Sequence, residues 1–64
     1  MKSKQLVKII TEHGWIATTI KGSHHTFKHP DSAQIITIPH PKKDLSIGLV
    51  KSIFKVANLP YQYS

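Results

Sequence analysis

No cysteine occurs among the 64 residues of this chain, and that absence limits the fold more than any residue present. So short a chain buries only about 60% of the surface its unfolded form exposes. Small domains commonly make up the deficit with disulfides or bound metal. Disulfides and thiolate zinc sites are excluded here. Stability must come from one apolar core shared by a few helices and strands, and the expectation is a single domain over residues 1–64. Absence of cysteine also fits a reducing cytoplasm. No apolar run approaches the ~18 residues of a membrane helix, and the opening Met1-Lys2-Ser3-Lys4 leads into no signal-peptide core. The reading is a soluble cytoplasmic protein without membrane association.

Charge narrows the partners. Nine lysines and no arginine face three acids, Glu12, Asp31 and Asp44, for a net charge of +6. On so small a body this field favours a polyanion or an acidic protein. The plain alternative is a solvated lysine surface.

Hydrophobic spacing gives the element order. Leu6, Ile9, Ile10 and His13 recur at helical intervals, predicting a helix over residues 3–13 with Ser3 as N-cap. Gly14 suits the C′ position, with Trp15 following as an apolar C″ residue that packs in the core. Residues 15–21 are rich in β-branched types and predict a strand, with Ile16, Thr18 and Ile20 on one face. Gly22-Ser23 is a tight turn. Residues 24–29 form a second strand. Alternation then places Phe27 with His25 and His29, and puts His24, Thr26 and Lys28 on the opposite face. If Phe27 is buried, His24 is the one of the two adjacent histidines that meets solvent. After a turn at Pro30-Asp31-Ser32-Ala33, residues 34–38 form a third strand closed by Pro39. The loop Pro39 to Asp44 is directed by two prolines around His40. Ser46 caps a second helix over 47–57, Asn58 takes its C′ position, Pro60 ends it, and the tail Tyr61 to Ser64 is loosely held. The fold class is therefore α+β in the order α-β-β-β-α. A three-stranded antiparallel sheet carries both helices on one face and leaves the other open.

Three chemistries suit such a surface. The first is metal-independent cleavage of RNA, whose 2′-hydroxyl is an internal nucleophile. It needs a base for that hydroxyl, positive charge for the phosphate and an acid for the leaving oxygen. His24 can serve as base or acid because imidazole takes and gives protons near neutrality. Lys28, read as standing beside it on the same strand face, is placed to hold the phosphate; Lys21 flanks the turn, while Lys42 and Lys43 reach in from the loop. Gly22 lets a nucleic-acid backbone approach closely. No carboxylate orients the imidazole unless Asp31 or Asp44 folds in. The second chemistry is binding alone, since this element order is that of double-stranded-RNA-binding domains. The third is metal binding by His25 and His29 with His24 or His40. Residues four apart on a strand lie roughly 13 Å from each other, too far to share an ion. No metal ligands and no cofactor are therefore assigned. His13 reads as a helix-end side chain on the negative end of the dipole. His25 and His29 read as partly buried packing.

The blocks Lys21-Gly22-Ser23-His24-His25-x-Phe27-Lys28-His29-Pro30, Ile38-Pro39-His40-Pro41-Lys42-Lys43-Asp44-Leu45 and Ile47-Gly48-x-Val50-Lys51-Ser52-Ile53 resemble the HicA toxins of toxin–antitoxin systems. The likeness covers residues 2–59. It implies a double-stranded-RNA-binding-domain-like fold and a ribosome-independent endoribonuclease, an mRNA interferase that halts translation. It also implies a HicB antitoxin that covers the active site and often carries a DNA-binding domain repressing the operon. Within the resemblance the histidine of Gly-Ser-His, here His24, is catalytic and Gly22 is the turn glycine. Some members keep only the second histidine, which makes His25 the alternative catalyst. From the residues themselves, the set assigned to RNA binding is Lys21, Gly22, Ser23, Lys28, Lys42 and Lys43. The family often has proline where this chain has Ser46, and either residue suits a helix start.

Overall fold

The computed structural model describes residues 1–60, and the tail expected to be loosely held lies outside the described residues. Two helices and three strands follow in the order α1 (Ser3–Glu12), β1 (Ile16–Lys21), β2 (His24–Lys28), β3 (Ile35–Pro39) and α2 (Ile47–Val56). The strands form one antiparallel sheet in the order β1-β2-β3, and the helices lie on one of its faces. This is the double-stranded-RNA-binding-domain-like arrangement.

Both helices stop where their sequence tells them to. Gly14 has φ 95°. Trp15 N–H donates to Ile10 O at 3.1 Å and Gly14 N–H to Thr11 O at 3.1 Å, the paired bonds of a Schellman cap. Asn58, at φ 57°, ends α2 in the same way. Leu59 N–H donates to Phe54 O at 2.8 Å and Asn58 N–H to Lys55 O at 3.1 Å. Ser46 caps α2 through Oγ, which accepts from Leu49 N–H at 3.3 Å.

The N-cap of α1 differs from expectation. Lys2 holds that position and Ser3 is the first helical residue, 1% exposed. A buried hydroxyl needs partners, and Ser3 finds them in the distant loop after β3. Its Oγ lies 2.6 Å from His40 Nδ1 and accepts from Lys42 N–H at 2.8 Å. Its own N–H donates to Lys42 O at 2.9 Å. Ser3→Ala would strand the Lys42 amide and remove the His40 contact. The expected cost is about 1–3 kcal/mol, read as a lowered midpoint in thermal unfolding.

Phe27, Ile36 and Ile38 carry the sheet's side of the core. Leu6 and Ile10 of α1 meet them, as do Val50, Ile53 and Phe54 of α2, with Trp15 and Leu45 closing the edges. Both helices pack over β3, so β1 overhangs and is exposed at every position.

The expectation that Ile16, Thr18 and Ile20 share a face is overturned. Ala17 pairs with Phe27 and Thr19 with Thr26, so Thr18 is an extra residue in a β-bulge. A bulge shifts alternation by one. Ile16, opposite Lys28, therefore lies on the open face, whereas Ile20, opposite His25, lies on the helix side. The Thr18 hydroxyl donates across the irregularity to Thr26 O at 3.3 Å.

β2 ends at Lys28, one residue earlier than the spacing suggests, because His29 turns toward the end of α1. Asp31 N–H donates to its Nδ1 at 3.0 Å, which leaves the proton on Nε2 to be donated to His13 O at 3.0 Å. Its ring also lies 5.2 Å from that of Trp15. A Cβ added to Gly14 would sit 2.8 Å from His29 Nε2, and φ there is positive. Gly14→Ala is expected to destabilise by about 1–3 kcal/mol through strain, with the displaced His29 adding to the loss. Chemical denaturation of the two proteins checks it.

Candidate active site

The site is built on the hairpin between β1 and β2. Gly22, at φ 56°, is the first residue of the two-residue loop, the position where such turns select glycine. A Cβ placed on Gly22 would meet nothing within 4 Å, so the turn faces open space. Immediately beyond it, Lys21, His24 and Pro39 stand opposite one another in the three strands and form the last row of the open face.

Burial separates the adjacent histidines. Phe27 is 1% exposed, so alternation sends His25 toward the helices and His24 away from them. His24 is exposed, and its side chain makes no hydrogen bond or ring contact among the described residues. His25 is half-buried in the row Ile20–His25–Ile38. Its ring stands edge-on to that of His40, with centroids 5.0 Å apart and planes at 89°. His25 and His29 both have the packing roles their pattern suggested, though among the described residues the His25 side chain is held by a ring contact and not by a hydrogen bond. His13 donates from Nδ1 to Ile9 O at 2.8 Å, in the last turn of α1.

The lysines do not gather as the sequence suggests. Lys21 is the cross-strand partner of His24. Lys28 shares the face but stands four residues along the strand, roughly 13 Å away, between Ile16 and Ile35. It is not beside His24. Lys42 and Lys43 lie in the loop next to α1 and join the site through the backbone, where His40 N–H donates to Ser23 O at 2.7 Å. The His40–Pro41 peptide is cis. Asp31 is held at the opposite end of β2 by His29, so it cannot orient His24.

The structure thus brings together Lys21, Gly22, Ser23 and His24, with His40 behind the turn. Sequence reasoning treated His40 only as a loop residue and a metal candidate. Its contact with Ser3 spans 37 positions, and local spacing carries no trace of such a pairing.

Fold and hairpin together define a small α+β domain with a double-stranded-RNA-binding-domain-like fold and one histidine presented on the sheet's open face. A model of the family described as the HicA toxin of bacterial toxin-antitoxin matches residues 3–59. Among solved structures the chain is similar to the "HicA3 and HicB3 toxin-antitoxin complex". The match has a TM-score of 0.83 at 36% identity and covers 97% of this chain and 100% of that one. No curated protein sequence matches it. The chain belongs to the HicA toxin family and is the toxin of a toxin–antitoxin pair. No helix among the described residues is long and apolar enough to cross a membrane.

Proposed function

We propose that this toxin is a metal-independent endoribonuclease that cleaves mRNA, with His24 as general acid or base. The observation that supports this most is the exposed imidazole of His24, unpartnered among the described residues and set beside Lys21 immediately after the open Gly22 turn. RNA carries its own nucleophile, so the protein need only move protons and hold charge. His24 takes the 2′-hydroxyl proton or supplies one to the departing 5′ oxygen. Lys21 offsets the negative charge that builds on the phosphate. Gly22 and Ser23 keep the approach to the phosphorus free of side-chain bulk. His24 stands ahead of His25 because His25 is half-buried against His40. A HicB-type antitoxin is the proposed inhibitor, by similarity to the solved HicA3 and HicB3 complex. The net charge of +6 suits both RNA and an acidic protein.

The test is incubation of the unsubstituted toxin with single-stranded RNA in EDTA, beside the same oligomer with 2′-deoxy sugars. Cleavage of the RNA alone, suppressed by the antitoxin, is the expected result. Binding without cleavage would make the protein a recognition module, and loss of cleavage on chelation would demand a metal.

A further inference from the structure

Four of the nine lysines meet in one place that the chemistry of His24 does not use. Lys2 and Lys4 from the start of α1 face Lys42 and Lys43 from the loop after β3, across a groove of about 390 Å³ lined also by Ser3 and His40. Its lining contains no carboxylate. Like charges brought together repel, and a compact domain gains nothing from gathering them. Here they are held together by the backbone pairing of Ser3 with Lys42 and by the hydrogen bonds of Ser3 Oγ to Lys42 N–H and His40. A bound polyanion relieves that repulsion.

The groove is tied to the hairpin through the backbone of β3's end. His40, which lines it, directly follows Pro39, the register partner of His24, and its N–H donates to Ser23 O. His24 is on the open face and the groove on the helix side, where His40 meets His25 and Ser3, so a chain lying across His24 reaches the groove by turning around the end of the sheet.

We infer that this groove is a second subsite for the RNA backbone, holding phosphodiester groups on one side of the scissile bond. This rests on the ribonuclease reading above. The ligand is a phosphate and not a base, for a chemical reason. The lining has no aromatic ring beyond His40 on which a base could stack, and no arginine fork for bidentate contact. Ammonium groups act as point charges on phosphate oxygens and carry no sequence information. His40 adds one polar atom, since Nδ1 is occupied by Ser3 and Nε2 has no partner among the described residues. The subsite strengthens binding without selecting sequence.

The experiment measures the affinity of a labelled single-stranded RNA for the His24→Ala protein, which holds the RNA without cutting it, over a range of salt. Lys2→Ala/Lys4→Ala and Lys42→Ala/Lys43→Ala are added separately. Each pair should flatten the slope of log affinity against log salt by about 1.4, the value for two phosphate contacts to a single strand. Lys8→Ala/Lys55→Ala, which removes the same charge elsewhere, should leave the slope nearly unchanged. Equal flattening by all three pairs would mean a diffuse field and no subsite. Unchanged RNA binding with lost grip on the antitoxin would make the groove a protein-binding surface. Either result overturns the inference while cleavage by the unsubstituted toxin stands. Absence of both RNA binding and cleavage overturns the ribonuclease reading itself.

Discussion

His24→Ala is expected to slow RNA cleavage by a factor of about 10² to 10⁴, the range typical of losing a positioned acid or base. Its melting temperature should stay close to that of the unsubstituted toxin. The two halves of this expectation have one cause. The imidazole is exposed and makes no hydrogen bond, ion pair or ring contact among the described residues, so removing it takes little from the fold. Whatever it contributes is made only with substrate. His25→Ala is the matched comparison. That ring is half-buried and packs against His40, so its loss should lower the melting temperature and reduce cleavage less than tenfold. Cleavage of a labelled RNA in EDTA, run beside thermal melts of the same preparations, reads both quantities. A His24→Ala protein that cleaves normally while His25→Ala is inactive would transfer the chemistry to His25.

Phe27→Ala is expected to unfold most of the protein at 25 °C. Phe27 is 1% exposed in the central strand, and it pairs with Ile36 on one side and Ala17 on the other. Truncating a buried phenylalanine costs about 3–5 kcal/mol through lost transfer energy and the cavity left behind. A domain of this length has only about 3–10 kcal/mol to lose, at roughly 0.05–0.15 kcal/mol per residue. There is no disulfide to hold the chain together. Phe27→Leu keeps most of the buried volume and should remain folded with a lowered melting temperature. Far-ultraviolet circular dichroism during denaturation distinguishes the two. A cooperative, near-normal transition for Phe27→Ala would mean that the core does not depend on this ring. The same substitution bears on function, because Phe27 fixes which face of β2 looks inward and hence which histidine looks out.

That dependence explains how far the sequence could be read. Alternation from Phe27 placed His24 on the open face without any knowledge of the helices. Gly14 and Asn58 announced both helix ends because a positive φ selects few residue types. Thr18 was different. A bulge is an interruption of alternation, and nothing in the run Ile-Ala-Thr-Thr-Ile distinguishes the extra residue from its neighbours. Ser3 was misread for a related reason. A serine near a helix start has the same local signature whether it caps that helix or reaches into a distant loop. Only the fold brings Lys42 and His40 to it. Lys28 showed a further limit, since parity reports which face a side chain occupies and not how far along the strand it stands. The groove of four lysines was legible as charge but not as a place, because its halves lie at opposite ends of the sequence.

One exposed imidazole, His24, is proposed to perform the proton chemistry of RNA cleavage without metal. Adding free imidazole to the His24→Ala toxin in EDTA tests it most directly, because the open turn leaves room for the small molecule to occupy the missing ring's place. Cleavage is expected to return in proportion to imidazole concentration in His24→Ala, with no such dependence in His25→Ala. Rescue of His25→Ala alone would contradict it, as would cleavage by the unsubstituted toxin that disappears when metal is chelated.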